Sequence, residues 1–116
     1  MCVILAVDIV NGKVVKAFAG LRMNYKPLFI QKEDFSDPIK LIKTLQEKIE
    51  LKKIYIADLD AIRKIGDNNM IIEKILKIFS DLLFLIDAGF DYPRNVYNYH
   101  IRKIQIKLYN YKLVLG

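Results

Sequence analysis

Residues 3–16 of the chain read VILAVDIVNGKVVK, and the interpretation of the whole sequence starts from this stretch. The run from 3 to 7 is continuously apolar and ends at Asp8, a pattern typical of a strand buried on both faces. Asn11 and Gly12 then separate two apolar segments, and both residues tolerate positive φ. The sequence therefore predicts a buried first strand that doubles back through a two-residue hairpin turn.

Strand and helix patterns alternate along the rest of the chain. After the hairpin we predict a helix at 38–50, with Asp37 as its N-cap and Pro38 in its first turn. The predicted elements that follow are a strand at 53–58, a helix after 66–69, a strand at 82–86, a helix after Pro93 and a strand at Tyr111–Leu115. Strict alternation implies parallel strands joined by right-handed crossovers. We expect one α/β domain over residues 1–116, which is either an open doubly wound sheet or part of a barrel.

One long segment interrupts this order. Residues 19–33 contain Gly20 and Pro27 and show no hydrophobic period. We predict a loop here that either covers a ligand site or is a disordered surface loop.

Composition narrows the classes of function. The formal net charge is +6, which suits an anionic partner such as a phosphorylated metabolite. The lysines are spread along the chain, so nucleic-acid binding is not expected. The sequence also lacks a long apolar span and a P-loop, so we expect a cytoplasmic protein without membrane contact, metal or cofactor. Cys2, the single cysteine, and His100, the single histidine, are interpreted as packing or surface residues.

Acidic residues follow the predicted parallel strands. Asp8, Asp58 or Asp60, and Asp87 lie at the carboxyl ends of strands, where parallel α/β folds assemble their ligand sites. A carboxylate at such an edge can act as a general acid or base. The alternative is that these residues cap helices or pair with lysines. This alternative applies least to Asp8, because a hairpin and not a helix follows Asp8.

Two glycines follow strands three and four. Gly89 and Gly116 have no side chain, so their backbone N–H groups could approach a phosphate. The alternative is that each glycine serves only the geometry of its turn.

Several segments together resemble the HisA/HisF barrels of histidine biosynthesis. The similarity lies in AVDIVNGKVVK at 6–16, IYIADLDA at 54–61 and LVLG at 113–116. Arg22 with Tyr25 and Pro27, and DAGF at 87–90, look closer to a HisA-related branch of archaea and one-carbon-metabolising bacteria than to HisA, which is phosphoribosylformimino-5-aminoimidazole carboxamide ribotide isomerase. The resemblance implies the parallel (βα)4 half of a (βα)8 barrel.

The resemblance also implies roles for residues. Asp8 matches the catalytic aspartate of the first strand, which is an acid/base in an Amadori-type aldose-to-ketose isomerisation. Gly89 and Gly116 match positions that bind a substrate phosphate, and Gly20, Arg22, Asp58 and Asp60 are the further candidates for substrate or phosphate binding. The chain departs from the family at Asp87, where HisA has a glycine-rich segment with an arginine, and it lacks strand five with its second catalytic aspartate.

These departures shape the expected biology. We expect a lone monomer to be inactive, and we expect activity to need either a homodimer or a separate C-terminal half-barrel. The open edges expected at 3–7 and at Tyr111–Leu115 favour such an assembly. The alternatives are a non-catalytic subunit that binds a phosphorylated ligand or serves as a scaffold, and a truncated gene product. Arg22 is further expected to close over the site with the loop that carries it.

Overall fold

A six-stranded sheet with helices forms the framework of the protein. The computed structural model describes residues 3–21, 24–27, 36–91 and 93–115. The strands are β1 (Val3–Val10), β2 (Lys13–Leu21), β3 (Asn24–Pro27), β4 (Leu51–Asp58), β5 (Leu83–Phe90) and β6 (Tyr111–Leu115), and the helices are α1 (Pro38–Gln46), α2 (Leu59–Ile62), α3 (Asn69–Ile78) and α4 (Pro93–Gln105). The sheet order is β3-β2-β1-β4-β5-β6. Strands β1, β4, β5 and β6 pair in parallel, which confirms the predicted α/β class.

The two faces of the sheet have different surroundings. Leu5, Val7 and Ile9 of β1 are buried in one core cluster together with the inward residues of α1 and α3. Ala6 and Asp8 point to the opposite face and are half-buried. We call this opposite face, which carries Ala6, Asp8, Tyr55 and Asp87, the open face. The prediction that β1 is buried on both faces is therefore wrong, because only one of its faces lies in the core and the other is half-buried.

The predicted hairpin is confirmed. Asn11 and Gly12 form its turn with φ values of 51° and 74°, the left-handed geometry that a tight two-residue hairpin requires. The hairpin is longer than expected, because β2 pairs with β1 from Val10 back to Ile4. The prediction that 3–7 is an unpaired edge is therefore wrong, since β2 occupies the hydrogen-bonding positions on that side.

The predicted loop at 19–33 is also wrong in part. Residues 19–21 continue β2, and β3 pairs with it in antiparallel fashion from Phe18↔Pro27 to Leu21↔Asn24. Pro27 fits there because β3 is an edge strand, where a missing N–H removes no interior hydrogen bond. Residues 22–23 and 28–35, including Arg22, lie outside the described residues.

The start of α1 agrees with the sequence prediction. The Asp37 carboxylate accepts hydrogen bonds from the backbone N–H groups of Ile39 (2.9 Å) and Lys40 (3.4 Å), and Pro38 occupies the first turn. The helix ends at Gln46, earlier than the predicted 50, because the N–H groups of residues 48 and 49 turn back to the carbonyl of Leu45. This tight turn leads directly into β4.

A buried cation joins α3 to α4. Lys103 is 1% exposed, and its ammonium lies 3.3 Å from the Glu73 carboxylate and 3.8 Å from the centre of the Tyr99 ring. Arg102 contacts the same carboxylate at 3.2 Å. Burial alone would raise the pKa of Glu73, but the Arg102 hydrogen bond and the Lys103 charge outweigh it, so this pKa lies below its usual value.

Removing this carboxylate should destabilise the fold in a pH-dependent way. Glu73→Gln leaves Lys103 buried without a counter-charge, so we expect the free energy of unfolding near neutral pH to fall by about 2–3 kcal/mol. Since the pKa of Glu73 is lowered by folding, the wild-type advantage is fully present above the unfolded pKa and is lost as pH falls through the lower folded value. Urea denaturation at several pH values measures this difference. Glu47→Gln, at an exposed position, is the control, and a Glu73→Gln deficit that stays constant into the acid range would contradict the account.

Candidate functional site

One row of residues crosses the open face at the carboxyl ends of the parallel strands. Asp8 of β1 pairs with Ala57 of β4, and Ala57 pairs with Asp87 of β5. Their neighbours Val7 and Ile86 are buried in the core on the other side, so the two carboxylates share the open face. Both are half-buried. The prediction that Asp8 and Asp87 meet at one edge of the sheet is confirmed.

Tyr55 reaches this row from within β4. Its hydroxyl donates a hydrogen bond of 3.1 Å to the Asp87 carboxylate. Burial, then the adjacent Asp87, and then the charge of Asp8 raise the pKa of Tyr55 to about 12. The phenol therefore stays protonated near neutral pH. Sequence analysis missed Tyr55, although its position two residues before Ala57 puts it on the same strand face.

Lys16 stands beside Asp8 because of a β-bulge. From the hairpin turn outward the register runs Val10↔Lys13 and Ile9↔Val14, but then shifts so that Asp8 faces Lys16. An unbroken ladder would place Val15 there, so Val15 is the extra residue of the bulge. The shift pairs Lys16 with Asp8 in the ladder, which places the two residues on the same face of the sheet. Hairpin rules applied to the sequence give the unbroken register, and for this reason Lys16 was not predicted.

Asp58 and Asp60 do not lie on the open face. They are 0% and 6% exposed, and together with Asn68, which is 5% exposed, they form a buried hydrogen-bond network. The Asn68 side-chain amide donates to Asp58 (2.7 Å) and to Asp60 (3.0 Å), and the Asn68 backbone N–H donates to Asp58 (2.7 Å). Asp58 also accepts from the N–H of Ala61 (3.1 Å), which caps α2. The observed contacts agree with the alternative that these two acids stabilise the local structure. Ligand binding by Asp58 and Asp60 stays a prediction.

This network also binds the hairpin turn. The Asn11 N–H donates to Asp60 at 2.8 Å, and the Gly12 N–H donates to the side-chain oxygen of Asn68 at 2.7 Å. The two turn residues are about fifty positions earlier in the chain than their partners. We call Asp58, Asp60 and Asn68 the turn clamp, because they fix the end of β1 that carries Asp8.

Gly89 has a structural reason to be glycine. It has φ of +72°, and a Cβ at this position would lie 3.1 Å from the Ile62 Cα of α2. Its N–H donates to the Asp87 carboxylate at 3.2 Å. Residues 88–90 belong to β5, so the strand predicted at 82–86 in fact runs on to Phe90. The turn-geometry alternative agrees with these contacts, and the N–H predicted to bind phosphate is already hydrogen-bonded.

The remaining predicted site residues do not join this row. Gly20 pairs with Ile4, so it lies at the amino end of β1, at the opposite edge of the sheet from Asp8. Arg22 and Gly116 lie outside the described residues, and their roles stay predictions. Because β2 runs antiparallel to β1, it carries the chain away from the site before Arg22 is reached.

An apolar groove lies between α4 and the end of β6. It has a volume of about 560 Å³ and is lined mainly by Phe90, Val96, Tyr97, His100 and Leu115. His100 is exposed, as predicted, and it stacks on Tyr111 and hydrogen-bonds to the hydroxyl of that residue. The groove borders β6, whose outer edge has no partner among the described strands.

Two further features, a metal-binding cluster and a membrane-spanning helix, are absent from the described residues. Among the described side chains, no group of three or more histidines, cysteines and acids is arranged to hold a metal ion. Of the helices in the described ranges, none has both the length and the apolar character needed to cross a membrane.

Comparison with known proteins adds one finding. A family model described as "Histidine biosynthesis protein" matches residues 2–106 of the 116-residue chain. The matched range runs from β1 to the end of α4, so it contains Asp8, Tyr55 and Asp87. No curated protein matches the chain.

Loss of the turn clamp should be costly. Asn68→Ala removes the acceptor of the Gly12 N–H and the donors to two buried carboxylates, so we expect about 3 kcal/mol less free energy of unfolding. Asn69→Ala changes an exposed neighbour and should stay within about 0.5 kcal/mol of the wild type. Chemical denaturation followed by circular dichroism compares the two. If both variants lose the same small amount of unfolding free energy, the turn clamp does not hold the hairpin turn.

Proposed function

The chain belongs to the histidine biosynthesis protein family, and from this premise we propose that it is an aldose–ketose isomerase of the HisA type. The family has a (βα)8-barrel fold, and the four parallel strands with their helices correspond to half of such a barrel. The observation that carries the proposal is the position of Asp8. It lies near the carboxyl end of β1 on the open face of the sheet, within the range that the family model matches.

The reaction we propose is an Amadori-type rearrangement of an aminated phosphoribosyl compound. The sugar ring must open by protonation of its oxygen, and a proton must then leave C2, so acid/base groups are needed on two sides of the substrate. Asp8 is half-buried on the open face and supplies one of these groups. Lys16, opposite Asp8 in the ladder, adds a positive charge for an anionic substrate.

The phosphate contacts of this chain are expected to differ from those of HisA. The Gly89 N–H is bonded to Asp87, and the Asp87 carboxylate would repel a phosphate placed beside it. We therefore propose that phosphate binds on the cationic side of the row, near Lys16, with Arg22 and Gly116 as the further candidates.

A second half-barrel is part of the proposal. In the described sheet β2 covers β1, so a second copy cannot pair with β1 unless β2 leaves. The outer edge of β6 is free of described partners, Leu115 there is 67% exposed, and the apolar groove adjoins it. We propose that β6 pairs with a strand of a separate C-terminal half-barrel or of a second copy.

One observation favours a different class of function. Asp87 and the engaged Gly89 N–H replace the phosphate-binding segment of HisA, which suits a non-catalytic subunit that binds another ligand or serves as a scaffold. Complementation of a histidine auxotroph, with and without a candidate C-terminal half, separates the two functions. If the chain is a scaffold, complementation requires the chain but does not require the Asp8 carboxylate.

Asp8→Asn tests the catalytic assignment. The substitution keeps the size of the side chain but prevents proton transfer, so turnover of phosphoribosylformimino-5-aminoimidazole carboxamide ribotide should fall about 10²-fold or more. Asp81→Asn, at an exposed position before β5, is the matched control and should keep wild-type turnover. Wild-type turnover by Asp8→Asn would contradict the assignment.

Assembly through β6 has its own test. We expect sedimentation at micromolar concentration to show species larger than the 13.6 kDa monomer. Leu115→Lys puts a charge on the exposed edge and should shift the chain toward monomer, whereas Ile65→Lys, at a position 73% exposed in a loop, should not. A wild-type monomer that unfolds cooperatively would overturn the assembly proposal.

A further inference from the structure

The open face already carries two carboxylates, one on each side of Ala57. Asp8 and Asp87 lie in one row with Ala57 between them. Neighbouring strands are about 4.8 Å apart, so the two Cα atoms are separated by about 10 Å across the row. The alanine in between contributes only a methyl group. At this separation the two carboxylates can act on opposite sides of one bound substrate.

Asp87 is held in one orientation. One carboxylate oxygen accepts from the Tyr55 hydroxyl at 3.1 Å, and the other accepts from the Gly89 N–H at 3.2 Å. Gly89 is itself fixed by its close approach to α2. An ionised carboxylate only accepts hydrogen bonds, so these two donors match the form of Asp87 that can take up a proton. A group so restrained satisfies the geometric demand on a general base.

We propose that Asp87 is the second acid/base group of the isomerisation, with Tyr55 as its positioning residue. The inference rests on the proposed function and deepens it, because it assigns both proton-transfer groups to this chain. A partner half-barrel then closes the site and completes substrate binding, and the strand-five aspartate of the family is not needed for chemistry here.

The proton transfers balance with these two groups. Asp8 protonates the ring oxygen, the bond from C1 to that oxygen breaks, and the nitrogen lone pair forms a C1–N double bond. Asp87 then removes the proton from C2, the freed electrons form the C1–C2 double bond, and the C1–N π electrons return to nitrogen. The C2 hydroxyl then gives its proton to Asp8, and the C1–C2 π electrons take up at C1 the proton held by Asp87, which gives the aminoketose and restores both carboxyl groups to their starting forms. No oxidant or reductant takes part.

Tyr55 acts on this chemistry through Asp87. Its hydroxyl is hydrogen-bonded to Asp87 and remains protonated near neutral pH, so it donates steadily to Asp87. Loss of that donor should loosen the orientation of Asp87. The effect is expected on the rate of proton transfer rather than on substrate binding.

Exchange of substrate protons with solvent tests the assignment. The chain, in whatever assembly it forms in solution, is incubated in D₂O with phosphoribosylformimino-5-aminoimidazole carboxamide ribotide, and NMR follows deuterium entry at C1 and C2. We expect Asp87→Asn and Asp8→Asn each to lose about 10²-fold or more in rate. Tyr55→Phe should lower kcat about tenfold with KM unchanged. Asp91→Asn removes a nearby exposed carboxylate that pairs with Lys64 and should have wild-type rates.

The outcomes separate this inference from the proposed function. Wild-type rates in Asp87→Asn together with an inactive Asp8→Asn would overturn the assignment of Asp87 and leave the isomerase proposal standing. Absence of turnover by the wild type, both alone and with a candidate C-terminal half, would overturn both. Asp87→Glu retains the carboxylate and should recover part of the rate. Equal losses of rate and of unfolding free energy in Asp87→Asn and Asp87→Glu would show that Asp87 acts in folding alone.

Discussion

The site depends on the buried hydrogen bonds between the turn clamp and the hairpin turn. Asp60 and Asn68 accept the N–H groups of Asn11 and Gly12, and Asp58 holds Asn68 in place. These polar groups are buried, so leaving any of them without a partner would cost about 1–3 kcal/mol. The clamp thus joins the β1–β2 hairpin to the loop before α3. It also fixes the end of β1 at which Asp8 faces Lys16 across the bulge and Asp87 across Ala57.

Much of the fold could be predicted because its signals are local. The apolar run that ends at Asp8, the Asn11-Gly12 turn and the Asp37 cap each depend on neighbouring residues, and the structure confirms all three. The extent of β2 could not be predicted, because the segment after Ala19 has no period and becomes a strand only by pairing with β1 and β3. That omission led to the wrong open edge at 3–7 and to the placement of Gly20 near the site.

The site could be predicted only in part. Asp8 and Asp87 follow apolar strands, and the carboxyl ends of parallel strands meet at one edge, so their proximity was accessible from sequence. The contact of Tyr55 with Asp87 requires the register between β4 and β5, and the proximity of Lys16 to Asp8 requires the bulge. Asp58 and Asp60 were expected on the rim, but their side chains turn toward the buried turn clamp. Strand-end position alone does not distinguish a carboxylate that faces the ligand from one that binds backbone N–H groups.

The central claim is that substrate binds on the open face between Asp8 and Asp87. Backbone amide NMR of the isotope-labelled chain, titrated with phosphoribosylformimino-5-aminoimidazole carboxamide ribotide, tests this most directly. The account predicts the largest shifts at residues 8, 16, 55, 57 and 87–89, with little change along α4. Shifts concentrated at Val96, Tyr97 and His100 in the apolar groove, with none at Asp8 or Asp87, would contradict it.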